Sequence, residues 1–146
     1  MEQEIQYIPT VGVVVFRDDK VLLVRHKAGA GHPEGSYGLP AGRLNDGEDF
    51  VTAALRELNE ETGLIAVPEN LEKLDKMYYA ALPRSDGTTK NYSWTVYICH
   101  QWQGELKDDH ETIPEWISIS QIENYPLIGN VKDAINDAIQ KLNVRN

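Results

Sequence analysis

Apolar positions set out the chain's elements before any single residue is considered. Tyr7 to Phe16 is rich in β-branched residues and Lys20 to His26 is a second apolar run, so the two are predicted as strands joined by a tight turn at "RDDK". Residues 27–38, "KAGAGHPEGSYG", combine glycine and proline in the manner of an exposed, mobile loop that could bind or close over something. Further on, "LEKLDKMYYAAL" and "NYSWTVYICHQW" flank "RSDGTTK", which predicts a long hairpin about Asp86 and Gly87. On its second strand Trp94, Val96 and Ile98 share one face, while Thr95, Tyr97 and Cys99 share the other. Both faces read as buried, so each needs a cover. One cover is the amphipathic helix predicted from Leu127 to Leu142, whose apolar residues recur at spacings of three and four. Strands and two helices interleave without a βαβ rhythm, which predicts an α/β chain with a mixed sheet between helices.

The other helix lies near the middle of the chain. Asn45 or Asp46 is placed to cap it, with Glu48 and Asp49 in a first turn where the helix dipole favours negative charge. At about 100° per residue, Val51, Ala54, Leu55, Leu58 and Thr62 gather on one arc that faces the core. Glu57, Glu60 and Glu61 form a stripe beside it: with Glu57 at zero, the other two lie at about 300° and about 40°. Like charges four apart repel by a few tenths of a kcal/mol, and Gly42 to Leu64 carries six acids against two arginines. A solvated acidic face would interleave more cations. Hard oxygen donors at this density suit Mg²⁺ or Mn²⁺.

Composition narrows the function. A chain of 146 residues with 41% hydrophobic content supports one core, and it is read as a single domain, residues 1–146. A net charge of −9 offers no basic footprint for duplex nucleic acid and repels anionic membranes. The sequence begins without a basic, then apolar leader and contains no run of about 18 apolar residues, so a cytoplasmic location is the default expectation. The lone Cys99 cannot close an internal disulfide.

The stretch "GRLNDGEDFVTAALRELNEETGL", Gly42 to Leu64, resembles the signature box of the Nudix hydrolases. Gly42, Glu48, Arg56, Glu57, Leu58, Glu60, Glu61, Gly63 and Leu64 fill all nine fixed positions. "GSYGLPA" before the box and "EW" at Glu115 and Trp116 extend the similarity. The resemblance implies an α/β/α sandwich around a central mixed sheet and hydrolysis of a nucleoside diphosphate linked to another group. It implies Mg²⁺ or Mn²⁺ held by Glu57, Glu60 and Glu61 with the backbone carbonyl of Ala41, and leaves Glu57 open as a base. Arg56 is then either catalytic or an orienting partner for the carboxylates, and Glu48 shares its structural reading. Gly42 is expected to permit a tight entry turn and Gly63 to end the helix in a left-handed conformation.

Similar enzymes draw another carboxylate from a late loop. Here "LKDDHETIPEW" offers Asp108, Asp109, Glu111 and Glu115, and the resemblance favours Glu111 as general base or ligand. Arg25, at the end of the second strand, is either a contact to a substrate phosphate, as the resemblance implies, or a surface arginine. Tyr78, Tyr79, Tyr92 and Trp94 are read as core residues rather than a base clamp. The position where many ADP-ribose enzymes carry proline is Ala80, and Asn130 stands one residue out of register with a base-reading asparagine of the triphosphate-cleaning members. The leading expectation is therefore a nucleoside triphosphate, oxidised or not, as a small-molecule substrate. ADP-ribose or nucleotide-sugar cleavage, a non-catalytic nucleotide-binding module and a simple metal-binding protein are the alternatives. Dimers are common in similar proteins, so a homodimer is also an expectation.

Overall fold

The computed structural model describes residues 5–144. Strands β1 (Ile8–Arg17) and β2 (Lys20–His26) form the expected hairpin, pairing Phe16 with Val21 and Arg17 with Lys20 around Asp18 and Asp19. Asp18 takes the left-handed conformation (φ 56°) that so short a connection demands. Strands β3 (Tyr37–Gly38) and β4 (Ala41–Arg43) follow, then helix α1 (Phe50–Thr62), β5 (Leu71–Lys73), β6 (Tyr78–Pro83), β7 (Thr89–Cys99), β8 (Thr112–Ser118) and helix α2 (Val131–Val144). The stretch 71–82 is thus two strands rather than one, and both pair with β7. β6 and β7 make the long hairpin, with Pro83 opposite Thr89.

The eight strands form a mixed sheet. β1 runs parallel to β7 and antiparallel to β2 and β4, while β2 also carries β3 and β8. Alternation along the strands feeds two cores. Val11, Val13, Val15, Tyr97 and Cys99 pack with Ala53, Ala54 and Leu58 of α1. Val14, Val96 and Ile98 pack with Val131, Ala134, Ile135 and Ala138 of α2. Both faces of β1 and β7 are therefore covered, which is why their sequences are apolar at successive positions. Leu58 is fully buried, and burying a leucine contributes about 1.5–3 kcal/mol.

Both helices begin later than their periodicity predicts. Asp49, not Asn45 or Asp46, caps α1 by accepting from the Thr52 amide at 2.7 Å. Gly47 is left-handed (φ 76°), so the helix cannot run through it, and Glu48 falls before the first turn. At the other end Gly63 is left-handed (φ 87°) and its amide reaches the Asn59 carbonyl at 2.9 Å, as expected. Ahead of α2, Leu127 bridges to Tyr37 and Gly129 is left-handed (φ 48°). Leu127 and Ile128 still pack on the core, so they match the apolar spacing without being helical.

Candidate active site

Between the sheet and the two helices lies a cavity of about 350 Å³. Glu57, Glu60, Glu61, Ala41 and Gly42 line one part of it, together with Asp109, His110 and Glu111 from the loop before β8. The carboxylate stripe of α1 thus meets the late acidic loop. That loop is tied in place by Lys27, whose ammonium donates to the Asp109 carbonyl at 2.7 Å and whose amide donates to the Glu111 carbonyl at 2.8 Å. Thr112 Oγ1 donates to the Glu61 carbonyl at 3.3 Å, joining the loop to the end of α1.

Arg56 organises the acids. Its Nε and Nη2 fork onto Glu48, both at 2.8 Å, while Nη1 donates to Glu57 at 2.7 Å and to Glu60 at 3.1 Å. Nη2 also reaches the Arg43 carbonyl at 2.9 Å. Fork geometry of this kind fixes direction as well as charge. The Arg56 hydrogen bonds, helped by the Asn45 amide, hold Glu48 down to about 2. Glu48 is therefore a structural anion that anchors the arginine.

Gly42 has a different role from the expected turn. It lies within β4, opposite Val11, and a Cβ there would overlap the Glu57 carboxylate. The missing side chain lets that carboxylate lie against the strand. Burial pushes Glu57 up to about 6 against the pull of Arg56, with Glu60 and Glu48 adding to the rise. Glu61 accepts from the Ala41 amide. Burial still raises its carboxyl well above the usual range, with Glu57, Asp109 and Glu111 contributing. Glu60 is the most open of the three, with 54% of its side chain exposed against 12% for Glu57.

Among the described residues, no three His, Cys, Asp or Glu side chains are already grouped about one ion position. The carboxylates are turned onto protein donors, Glu61 onto Ala41 and Glu57 and Glu60 onto Arg56. The donor set itself, crowded hard oxygens from Glu57, Glu60 and Glu61, fits Mg²⁺ or Mn²⁺.

The remaining sequence candidates divide. Asp109 and Glu111 line the cavity, whereas Asp108 and Glu115 do not. Glu115 sits within β8 opposite Leu23, fixed in the sheet. Arg25 does not line this cavity. Neighbouring strand residues point to opposite faces, and it is His26 that lines the cavity, leaving Arg25 beside Tyr37 and Glu115. Tyr78, Tyr92 and Trp94 are in the core or packed on it and also form cavity wall, so the core reading was incomplete. Tyr79 is exposed, edge-on to Tyr7. Asn130 lines the cavity with its amide donating to the Tyr79 carbonyl at 2.8 Å.

Sequence reasoning passed over His26, His32 and Arg84, which line the same cavity. Of five buried side-chain polar atoms without a partner among the described residues, four belong to cavity residues: His26 Nε2, His32 Nδ1, Tyr92 Oη and Trp94 Nε1. Buried polar atoms normally find partners, so this concentration marks the wall as a place for a polar ligand. No helix among the described residues is long and apolar enough to cross a membrane.

Comparison with known proteins bears on family and fold. An RNA pyrophosphohydrolase of Rhizobium meliloti (strain 1021) is 35% identical over 82 residues, covering 53% of this chain and 49% of that protein. Nudix hydrolase 25 of Arabidopsis thaliana is 38% identical over 60 residues, covering 41% of this chain and 33% of its own. The chain thus spans half or less of these two relatives. The 8-oxo-dGTP diphosphatase of Escherichia coli (strain K12) is 23% identical over 129 residues, covering 84% of this chain and 93% of that one. Among solved structures, a MutT protein from Methanosarcina mazei Go1 superposes with a TM-score of 0.76 at 22% identity, covering 97% of this chain and 99% of that one. This likeness shows the same fold, the sandwich with a central mixed sheet. A NUDIX hydrolase from Nitrosomonas europaea gives 0.70 at 28% identity, covering 93% and 90%. A family model described as the NUDIX domain matches residues 6–138, and the chain belongs to the Nudix family.

Proposed function

We propose that the protein is a divalent-metal-dependent pyrophosphohydrolase acting on a nucleoside diphosphate derivative, with a nucleoside triphosphate, oxidised or not, as the leading substrate. One observation carries the reading: carboxylates from α1 and from the 109–111 loop meet in one cavity whose remaining wall sets apolar and aromatic residues beside His26, His32 and Arg84. Glu57, Glu60 and Glu61 would hold the cation, with the Ala41 carbonyl as a further ligand. When bound, a divalent cation neutralises diphosphate charge and lowers the pKa of its water. Arg56 orients Glu57 and Glu60 through Nη1 and is itself held by Glu48. Glu111, next to His110 and half-exposed on its loop, takes the proton of the attacking water. Leu39, Trp94, Ile128 and Val131 exclude water around the nucleoside.

The names of the relatives support a substrate with a chain of phosphates, since an RNA pyrophosphohydrolase and an 8-oxo-dGTP diphosphatase are among them. The test is product analysis over a nucleotide panel with Mg²⁺ or Mn²⁺. Nucleoside monophosphate and pyrophosphate are the expected products of a triphosphate. No turnover of any nucleotide with either metal would overturn the reading.

A further inference from the structure

Three segments distant in sequence bring His26 from the end of β2, His32 from the loop after it and Arg84 from the β6–β7 turn to one part of the cavity wall. Arg84 is half-buried. Among the described residues it has no carboxylate partner within ion-pair distance. Its Nη1 lies 3.3 Å from His32 Nε2. A guanidinium only donates, so that imidazole nitrogen accepts, and the one proton of the neutral ring sits on Nδ1. His32 Nδ1 is the buried atom that lacks a partner. His26 packs its ring 4.5 Å from that of His32, is 5% exposed, and has its own Nε2 buried without a partner. Burial above all, then the neighbouring imidazole and Arg84 for His26 and Arg84 for His32, pushes both rings down to about 4. They are neutral at pH 7.

The backbone is shaped around this group. Gly31 is left-handed (φ +79°), and a Cβ there would overlap the Arg84 guanidinium. The Ser85 amide donates to the Gly31 carbonyl at 3.1 Å, which fastens the loop to the hairpin. A half-buried cation with Asp86 near but no carboxylate within ion-pair distance, beside an orphaned N–H donor, leaves room for an acceptor-rich anion.

We propose that Arg84, with His32 and His26, forms a subsite for a phosphate group of the substrate other than the phosphates engaged at Glu57, Glu60 and Glu61. The inference rests on the pyrophosphohydrolase reading and makes a phosphate beyond the cleaved diphosphate a recognition element. Such a phosphate has two sources of one chemistry: the third phosphate of a nucleoside triphosphate, or a phosphate on the sugar, as in a 3′-phosphate.

The first arm of the test needs no turnover. Inorganic phosphate is titrated into metal-free protein while the imidazole ¹⁵N shifts of His26 and His32 are followed. A saturable shift is expected in the wild type and in Lys90→Ala, which removes the same charge from β7 outside the cavity. In Arg84→Ala phosphate affinity should fall roughly 10- to 100-fold, the scale for losing a charged hydrogen-bond partner. Arg84→Lys keeps the charge without the fork and should fall by less, so it decides the matter if the alanine variant does not fold. No saturable shift in the wild type, or equal phosphate affinity in wild type and Arg84→Lys, overturns the subsite.

The second arm compares KM for a nucleoside 5′-triphosphate, the 5′-diphosphate and the 3′-phospho-5′-diphosphate. A KM rise in Arg84→Ala confined to the triphosphate assigns the terminal phosphate, and one confined to the 3′-phosphate assigns the sugar side. An equal change on all three, or none, overturns the proposal. If the wild type turns over no nucleotide, the functional reading fails on its own, and the phosphate titration still decides the subsite.

Discussion

The two charged regions of the cavity are built by opposite routes. The acidic region lies mostly on one helix, and Arg56 and Gly42 set its carboxylates side by side. The basic region is assembled from a strand end, a loop and a hairpin turn, with Arg84 unpaired by any carboxylate among the described residues. Burial acts on both with opposite sign, raising Glu57 to about 6 and lowering His26 and His32 to about 4. On the readings proposed above, a cation would offset the first region and an anion the second.

The largest expected effect lies in the acidic region. Glu111→Gln should lower kcat by roughly 10²- to 10⁴-fold if Glu111 is the base, with metal affinity little changed. If Glu111 is a ligand instead, excess Mn²⁺ restores part of the rate. Glu115→Gln, held in β8 away from the cavity, should retain near-wild-type kcat. A larger loss at Glu115 than at Glu111 would overturn the assignment.

Gly42→Ala is a subtler break. The new methyl runs first into the Glu57 carboxylate, the movable end of a side chain, so thermal unfolding should change little while activity falls by about 10²-fold, the scale for a misplaced catalytic group. Full activity in a folded Gly42→Ala protein would mean that the position of Glu57 is not critical.

The smallest effect is on stability against pH, where the two regions should pull apart. Glu57 has a folded pKa of about 6, above its unfolded value, so the native state holds more protons between the two. Its contribution to stability grows as pH falls through 6 and is lost as pH rises through it. For His26 and His32, at about 4 when folded and about 6.5 when unfolded, the unfolded state holds more protons, and stability is lost as pH falls from 6.5 towards 4. Urea unfolding of metal-free protein at pH 7 and pH 5 should therefore show Glu57→Gln losing more than the wild type on acidification and His26→Gln losing less. Differences on the order of 1 kcal/mol are expected for shifts of this direction. Equal pH dependence in all three proteins would contradict the opposed environments.

The same contrast explains what could be read in advance. The glutamate stripe, the left-handed Gly63 and the two-faced β7 follow from periodicities within one element, and the structure reproduces each. Helix starts were less legible because Asn45, Asp46 and Asp49 can all cap. Only the left-handed Gly47 and the Glu48–Arg56 pair decide for Asp49. The part played by Gly42 depends on a contact fifteen residues away in sequence. His26, His32 and Arg84 meet only when the 27–36 loop docks on the β6–β7 turn, through Ser85 and Gly31, and no local spacing announces such a meeting. Strand alternation puts His26, not its neighbour Arg25, on the cavity wall.

Calorimetric titration of Mn²⁺ in the presence of a non-hydrolysable nucleoside triphosphate, for the wild type and for Glu61→Gln, tests most directly whether the acidic region works through a cation. Glu61 is the carboxylate that Glu57, Asp109 and Glu111 crowd. Saturable binding is expected in the wild type, with affinity lower by about tenfold or more in the variant. Absence of Mn²⁺ binding in the wild type, or an unchanged isotherm in a folded Glu61→Gln protein, would contradict a metal site built on α1.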